Sequence, residues 1–466
     1  MPPAPLPSYE EVLARMAELE KRVEDQARII AEQARALEEK DLIIASQARE
    51  IKELRKRLAV YENPHTPPSA RKVKKKREQK GLEKKKKKRG APKGHRGATR
   101  PTPEPDRYVG VFADRCEKCG SADLMEVDVD SKVVEDLIHH LQQVRAVQFD
   151  RSVVRCRDCG HEFTAKHEGC PREGRFGVNL LVYVTMLKFM LRGVLRRICG
   201  FARHVNGFDI TPKGVHDMLM RVGGACQSEY QRTLERVRAA RWKYVDETGF
   251  KVNGKKWWLW IFRTTRDVLV VIRPSRSRKV LEEILGARIA GAGVSDGWRA
   301  YGAFQVLQRC WAHLLREVDA YKDEPGGEEL SRLIHRKFKK LRAFLGRDPP
   351  MTERKRMKKH WDAEMAKLVE EFAGYEELQK PLTYIRNGLG CWYTCLLYPG
   401  MEPTNNLGEQ AMREHVIMRK IIGTFRSEKG AENYQYIASL LATWHLQGKD
   451  VYKELEELLR RELCLK

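Results

Sequence analysis

The run Trp242-Lys-Tyr-Val-Asp246-Glu-Thr-Gly-Phe-Lys-Val-Asn253-Gly254-Lys-Lys-Trp-Trp-Leu-Trp260-Ile-Phe262 decides the fold. It opens as an apolar strand that ends in a carboxylate. Asn253-Gly254 is a strong hairpin signal, because both residues tolerate the positive φ of a tight turn. The aromatic stretch Lys255 to Phe262 returns as a second strand, and the β-branched run Val268 to Ile272 gives a third. A helix is predicted over Ser277 to Leu285. Gly293-Val-Ser-Asp296-Gly-Trp298 is a short strand that again ends in a carboxylate, and Phe304 to Arg309 is a fifth.

Three antiparallel strands, a helix, a fourth strand, a helix and a fifth strand is the order of a ribonuclease-H-like α/β core. In that order the first and fourth strands are neighbours, so Asp246 and Asp296 should meet at one end of the sheet. Residues 312–400 then read as mostly helical and very basic. Pro403-Thr-Asn405-Asn406-Leu-Gly-Glu409-Gln-Ala-Met-Arg413 follows. Thr404 or Asn405 is expected to cap a helix, with Glu409 one turn in. Three carboxylates from three elements can hold two Mg²⁺ ions, as phosphodiester chemistry requires. Arg413, one turn past Glu409, would point at the same site and hold a phosphate. Glu247 reads as structural.

Upstream, Val178 to Leu191 and Val194 to Val205 have helical spacing. Gly207 marks a turn, and Thr211-Pro212 starts a further helix with an N-cap and a proline at its first position. This is a helix-turn-helix pattern that would turn Lys213, His216, Asp217 and Arg221 outward, and a plain helical packing unit fits the same pattern. Residues 107–172 hold Cys116-Glu-Lys-Cys119-Gly and Cys156-Arg-Asp-Cys159-Gly around β-like runs. Two such knuckles suit one tetrahedral Zn²⁺ with four thiolates. The competing reading is four unrelated thiols, and Cys170 and His161 stand by as spare donors. Between Arg71 and Gly94 there are 14 Lys or Arg against 2 Glu, in a proline-rich linker over 62–106. Such a block binds phosphates without reading sequence. Residues 8–61 carry an apolar residue every seventh position (Met16, Val23, Ile30, Leu37, Ile44, Ile51, Leu58). That heptad predicts a coiled coil. The second seam position (Glu20, Ala27, Ala34, Asp41, Ala48, Arg55) is poor, which weakens the expected oligomer and leaves a single helix as the other reading.

The chain of 466 residues has a net charge of +25 and 42% hydrophobic residues. A metabolic enzyme is disfavoured, and a polyanionic partner is indicated. No apolar run approaches the roughly 18 residues of a membrane span, and no signal peptide is visible. The 11 cysteines, several in Cys-x-x-Cys pairs, fit a reducing cytoplasm. The expected division is a coiled-coil helix (1–61), linker (62–106), zinc-ribbon DNA-binding domain (107–172), helix-turn-helix domain (173–240), ribonuclease-H-like core (241–445, with a helical insertion near 320–400) and C-terminal helix (446–466).

The sequence resembles a known family at Asp246-Glu-Thr-Gly-Phe-Lys-Val-Asn-Gly-Lys-Lys-Trp-Trp-Leu-Trp260, Ser295-Asp-Gly-Trp-Arg-Ala-Tyr301, Cys310-Trp-Ala-His313 and Asn405-Asn-Leu-Gly-Glu-Gln-Ala-Met-Arg413. These look like the DDE transposases of bacterial and archaeal insertion sequences, family sixty-six. The likeness extends over nearly the whole chain. It implies a catalytic triad of Asp246, Asp296 and Glu409 that cuts and joins DNA with two Mg²⁺ ions. It also implies DNA as partner, both terminal inverted repeats and target, and a homodimer or higher oligomer. Accessory proteins of the same element are possible partners, and the location implied is the nucleoid. The late basic segment matches Arg419 and Lys420, which adds them to Arg413 as phosphate contacts. The chain departs from the pattern at Arg426 and Glu428. Cys310 and His313 match the family's Cys-x-x-His. They would steady the fold or a flanking DNA end, or form a packing pair, and no metal is assigned to them. The rival readings are a DNA-binding protein without catalysis and a ribonuclease-H-like nuclease.

Overall fold

The computed structural model describes residues 9–62, 101–138 and 143–465. Two units divide the chain, Met1–Lys85 and Lys86–Lys466. In the first, α1 (Tyr9–Glu62) is one helix of 54 residues, close to the span the heptad predicts. Met16, Val23, Ile30, Leu37, Ile44 and Ile51 are all exposed on it. Most of the expected basic linker, residues 63–100, lies outside the described residues.

The second unit begins with a small sheet of β1 (Arg107–Val111), β2 (Leu124–Ile138), β3 (Gln143–Cys156) and β4 (Glu162–Thr164). β2 and β3 pair antiparallel from Leu124↔Cys156 to Ile138↔Gln143. They are longer than the short runs the sequence suggests, because charged residues alternate with the apolar ones that line a small core of Val111, Val134 and Phe149. The register brings the end of β3 beside the start of β2, where the cysteine knuckles lie.

Three helices follow: α2 (Val178–Phe189), α3 (Leu195–Asn206) and α4 (Pro212–Ala239). Gly207 ends α3 in the left-handed conformation, at φ 61°. The Thr211 hydroxyl accepts from the Gly214 amide (3.1 Å) to cap α4. α4 is 28 residues long and serves two cores. Val215, Met218 and Val222 pack with α2 and α3, whereas Tyr230, Leu234 and Val237 pack on the larger sheet.

That sheet contains β5 (Trp242–Val252), β6 (Lys255–Arg263) and β7 (Val268–Arg273). After α5 (Arg278–Leu285) come β8 (Ala292–Ser295) and β9 (Val306–Arg309). The strand order is β7-β6-β5-β8-β9. β5, β6 and β7 are antiparallel, and β5, β8 and β9 are parallel. Asn253 and Gly254 take φ of 50° and 74° in the β5–β6 turn, as the hairpin signal requires.

The next helices, α6 (Trp311–Asp319), α7 (Gly327–Gly346), α8 (Met351–Glu371) and α9 (Gln379–Arg386), build their own core around Trp311, Trp361 and Trp392. Then α10 (Asn406–Ile422) and α11 (Glu428–Leu446) return to the sheet. β7 is an edge strand, and its outward amides need partners. Those of Val268, Val270 and Ile272 donate to Thr443 Oγ1 (3.0 Å), Ser439 Oγ (2.8 Å) and Gln435 Oε1 (3.0 Å) of α11. A polar stripe of three residues, one per turn of α11, thus seals the edge. Finally α12 (Val451–Leu459) puts Leu455, Leu458 and Leu459 into the α2–α4 core. The expected C-terminal helix therefore completes the helical unit. No described helix is long and apolar enough to cross a membrane.

Candidate active site

Asp246 and Asp296 sit at one height on neighbouring strands. The parallel register pairs Tyr244 with Val294, and each carboxylate lies two residues further on. Alternation along β5 puts Asp246 on the face covered by α10. Asn405 occupies the N-cap position of α10, but its side chain does not cap the helix. Its amide instead donates to the Val245 carbonyl (2.9 Å), beside Asp246. Arg263 Nη1 holds the next turn through the Leu407 carbonyl (3.0 Å). Glu409 follows one turn in, so two polar crosslinks fix the first turn of α10 over the strand that carries Asp246.

The three carboxylates feel one another. Burial, then the charge of Asp296 and more weakly that of Glu409, push Asp246 up to about 7, against the Glu247 amide that bonds it. Glu409 Oε1 is buried and lacks a hydrogen-bond partner. Its neighbours are His313 Nδ1 at 3.7 Å and Arg316 Nη2 at 3.6 Å. Asp246 crowded by like charge and an orphaned oxygen on Glu409 fit a divalent cation with oxygen ligands, although the donor atoms within 4.8 Å of one another at this site are those of Cys310, His313 and Glu409 and not those of Asp246 and Asp296.

Cys310 and His313 lie at this site. The buried Cys310 sulfur accepts from the Asn405 backbone N–H (3.1 Å), so it helps seat α10. Cys310, His313 and Glu409 bring donor atoms within 4.8 Å of one another. Burial, followed by the Arg316 guanidinium, lowers the pKa of His313 and favours its neutral form.

Glu247 points the other way. Arg276 Nε donates to it at 2.6 Å, and the Tyr301 hydroxyl donates to its other oxygen. This supports the structural reading and adds Arg276 and Tyr301, which sequence reasoning missed. Both lie at helix or loop positions with no spacing that ties them to Glu247.

The expected phosphate contacts fall into two groups. Arg413 and Lys420 are exposed. Arg419 is 5% exposed, and its guanidinium donates to Thr248 Oγ1 (2.6 Å) and the Gly249 carbonyl (2.7 Å). It ties α10 to β5 and is buried there, not exposed as a phosphate contact needs. Of the outward positions expected on α4, Lys213, His216 and Asp217 are exposed, while Arg221 donates to the Glu173 carbonyl (2.5 Å).

The second cluster comprises Cys116, Cys119, Cys156 and Cys159, whose sulfurs all lie within 4.8 Å of one another. Cys116–Cys159 and Cys119–Cys156 are each 3.4 Å apart, and all four are free cysteines. The two knuckles match. Gly120 and Gly160 donate to the Cys116 and Cys156 carbonyls, both at 2.9 Å, with φ of 75° and 68°. Burial opposes ionisation of Cys116, yet the amides of Cys119 and Lys118 donate to its sulfur and hold the thiol down at about 6. Zinc–sulfur bonds of about 2.3 Å give a tetrahedron with edges of about 3.8 Å, so these four sulfurs could bind one zinc ion.

A family model described as "Transposase IS66 family" matches residues 173–433. The match contains α2 to α10, Asp246, Asp296 and Glu409, and it excludes the cysteine cluster. No curated protein matches the chain.

Proposed function

This chain belongs to the IS66 family of transposases, and from that premise we propose that it binds the ends of an insertion sequence, cuts there and joins the cut end to target DNA. The observation that carries the proposal is the β5–β8 register, which supports reading Asp246 and Asp296 as a pair, with Glu409 brought over them by the Asn405 crosslink. The strand order supports a ribonuclease-H-like core over 241–445. Two Mg²⁺ ions held by the three carboxylates would activate the attacking oxygen and stabilise the leaving one.

The chain's own residues do the rest. Asn405, Arg263 and Cys310 set the height of Glu409, and Arg413 and Lys420 face phosphate. Water attacks phosphorus at the element end, the bond to the 3′-oxygen breaks, and a 3′-hydroxyl and a 5′-phosphate result. That hydroxyl then attacks a target phosphodiester, forming a new ester as the target's 3′-oxygen leaves. One zinc in the four-cysteine cluster holds the ribbon of 107–172, which grips DNA with the helix-turn-helix of α3 and α4. The basic linker of 62–106 adds salt-sensitive phosphate binding. The exposed heptad of α1 pairs protomers, and the protein works at the nucleoid in the cytoplasm.

The test uses labelled DNA carrying the inverted repeats that flank the gene. With Mg²⁺ the full chain should cut at the repeat end and transfer the 3′-strand to a plasmid. Binding without cutting overturns the catalytic reading, and cutting without joining favours a nuclease.

A further inference from the structure

Of the nine tryptophans, Trp298 alone is exposed, at 41%. It follows Asp296 by two residues, and its amide donates to Asp296 Oδ1 (2.9 Å). The ring is anchored. Its Nε1 donates to the Arg276 carbonyl (3.4 Å), and the Arg276 guanidinium lies 4.1 Å from the ring centroid. Arg276 is itself fixed, over Trp258 at 4.9 Å and on the buried carboxylate of Glu247. Gly297 keeps the intervening backbone close, since a Cβ there would meet Arg309 Nη2 at 2.4 Å.

An apolar ring this large is ordinarily buried. Here a chain of contacts, Tyr301–Glu247–Arg276–Trp298, holds it at the surface beside a carboxylate of the site. A large ring that is held in place by a cation and still 41% exposed offers area on which a flat aromatic partner can stack. We propose that Trp298 is a stacking platform for one unpaired nucleobase of the DNA strand being cut, next to the scissile phosphodiester. This rests on the transposase reading and extends it. Where a base next to the cut leaves the stack, an aromatic plate compensates for the lost stacking whatever the base. Glu247 is then a positioning residue, acting through Arg276.

The test places 2-aminopurine at each of the nucleotides flanking the cut, with Ca²⁺ used to hold uncut complexes of the full chain. Stacking on Trp298 should quench the probe at one position. Trp298→Ala should leave end binding within about twofold and brighten that probe, and with Mg²⁺ it should slow cutting about 10- to 100-fold. Trp298→Phe, which keeps a ring, should restore most of the rate and the quenching. Arg276→Lys, which keeps the charge but loses the flat stacking surface, should fall between. Equal cutting and equal probe signals in wild type and Trp298→Ala overturn the platform while leaving the transposase reading intact. A wild type that does not cut overturns that reading, and the Ca²⁺ arm still decides the platform.

Discussion

Burial and neighbouring carboxylates disfavour the charged form of Asp246. Its folded pKa is raised from 3.8 to about 7, by burial first and Asp296 second. A carboxyl raised in the fold binds its proton more tightly there than in the unfolded chain. Metal-free protein therefore loses stability as pH rises from about 4 through about 7, and the loss vanishes below that window. Asp246→Asn removes the charge and should remove the slope. Its melting temperature should exceed that of the wild type at about pH 8 and converge with it at about pH 4, and Mg²⁺ should narrow the gap at high pH. Coincident melting curves across the window would contradict the burial and crowding described for Asp246. The strand that carries this residue was legible from its pattern, but not the residue's place in it: the sequence reads as a strand ending at Asp246, whereas β5 runs on to Val252 and leaves Asp246 in its middle. The partners of Glu247 were not legible, since they stand 29 and 54 residues away with nothing local to connect them. Arg419 misled for a related reason. Its neighbours in sequence are basic and its place on α10 is near the end, but the rotation of that helix turns it onto Thr248.

Elements differ in how much of their stability is written locally. The β5–β6 hairpin is specified by two turn residues and by alternation, and it formed where predicted. The edge seal could not be foreseen. Gln435, Ser439 and Thr443 show helical spacing, but the strand whose amides donate to them lies more than 160 residues earlier, and only the sheet order makes β7 an edge. Asn405 likewise reads as an N-cap and spends its side chain on Val245 instead. The cysteine knuckles were the clearest signal, because the ligand spacing and the following glycine are both local. Purified, reduced protein should carry about one zinc per chain, and Cys119→Ser or a chelator should open residues 107–172 to protease while the sheet of β5 to β9 stays protected. Metal analysis that finds no zinc in the freshly reduced protein would remove the ribbon from the account.

At the scale of the whole molecule, the order of elements followed from the change of hydrophobic period at residue 241, from helical to alternating. What no local pattern could tell was that α12 comes back to complete the core of α2 to α4, and that α4 bridges that core to the sheet. The helices proposed to grip DNA and the carboxylates are therefore parts of one packed body, linked through α4 and α11. The surfaces proposed to hold DNA contain none of the three carboxylates, so the carboxylates can be altered without removing those surfaces. The most direct test compares the wild type with Asp246→Asn, Asp296→Asn, Glu409→Gln and the control Glu414→Gln, a half-buried residue of α10 paired with Arg192, for binding and for Mg²⁺-dependent cutting of labelled element ends. The account predicts that all five bind within about twofold of one another. Each triad variant should lose cutting on the order of 10³-fold, with double variants no worse than single ones, as expected of residues acting as a unit. Wild-type cutting by Glu409→Gln, or loss of cutting in Glu414→Gln, would contradict it.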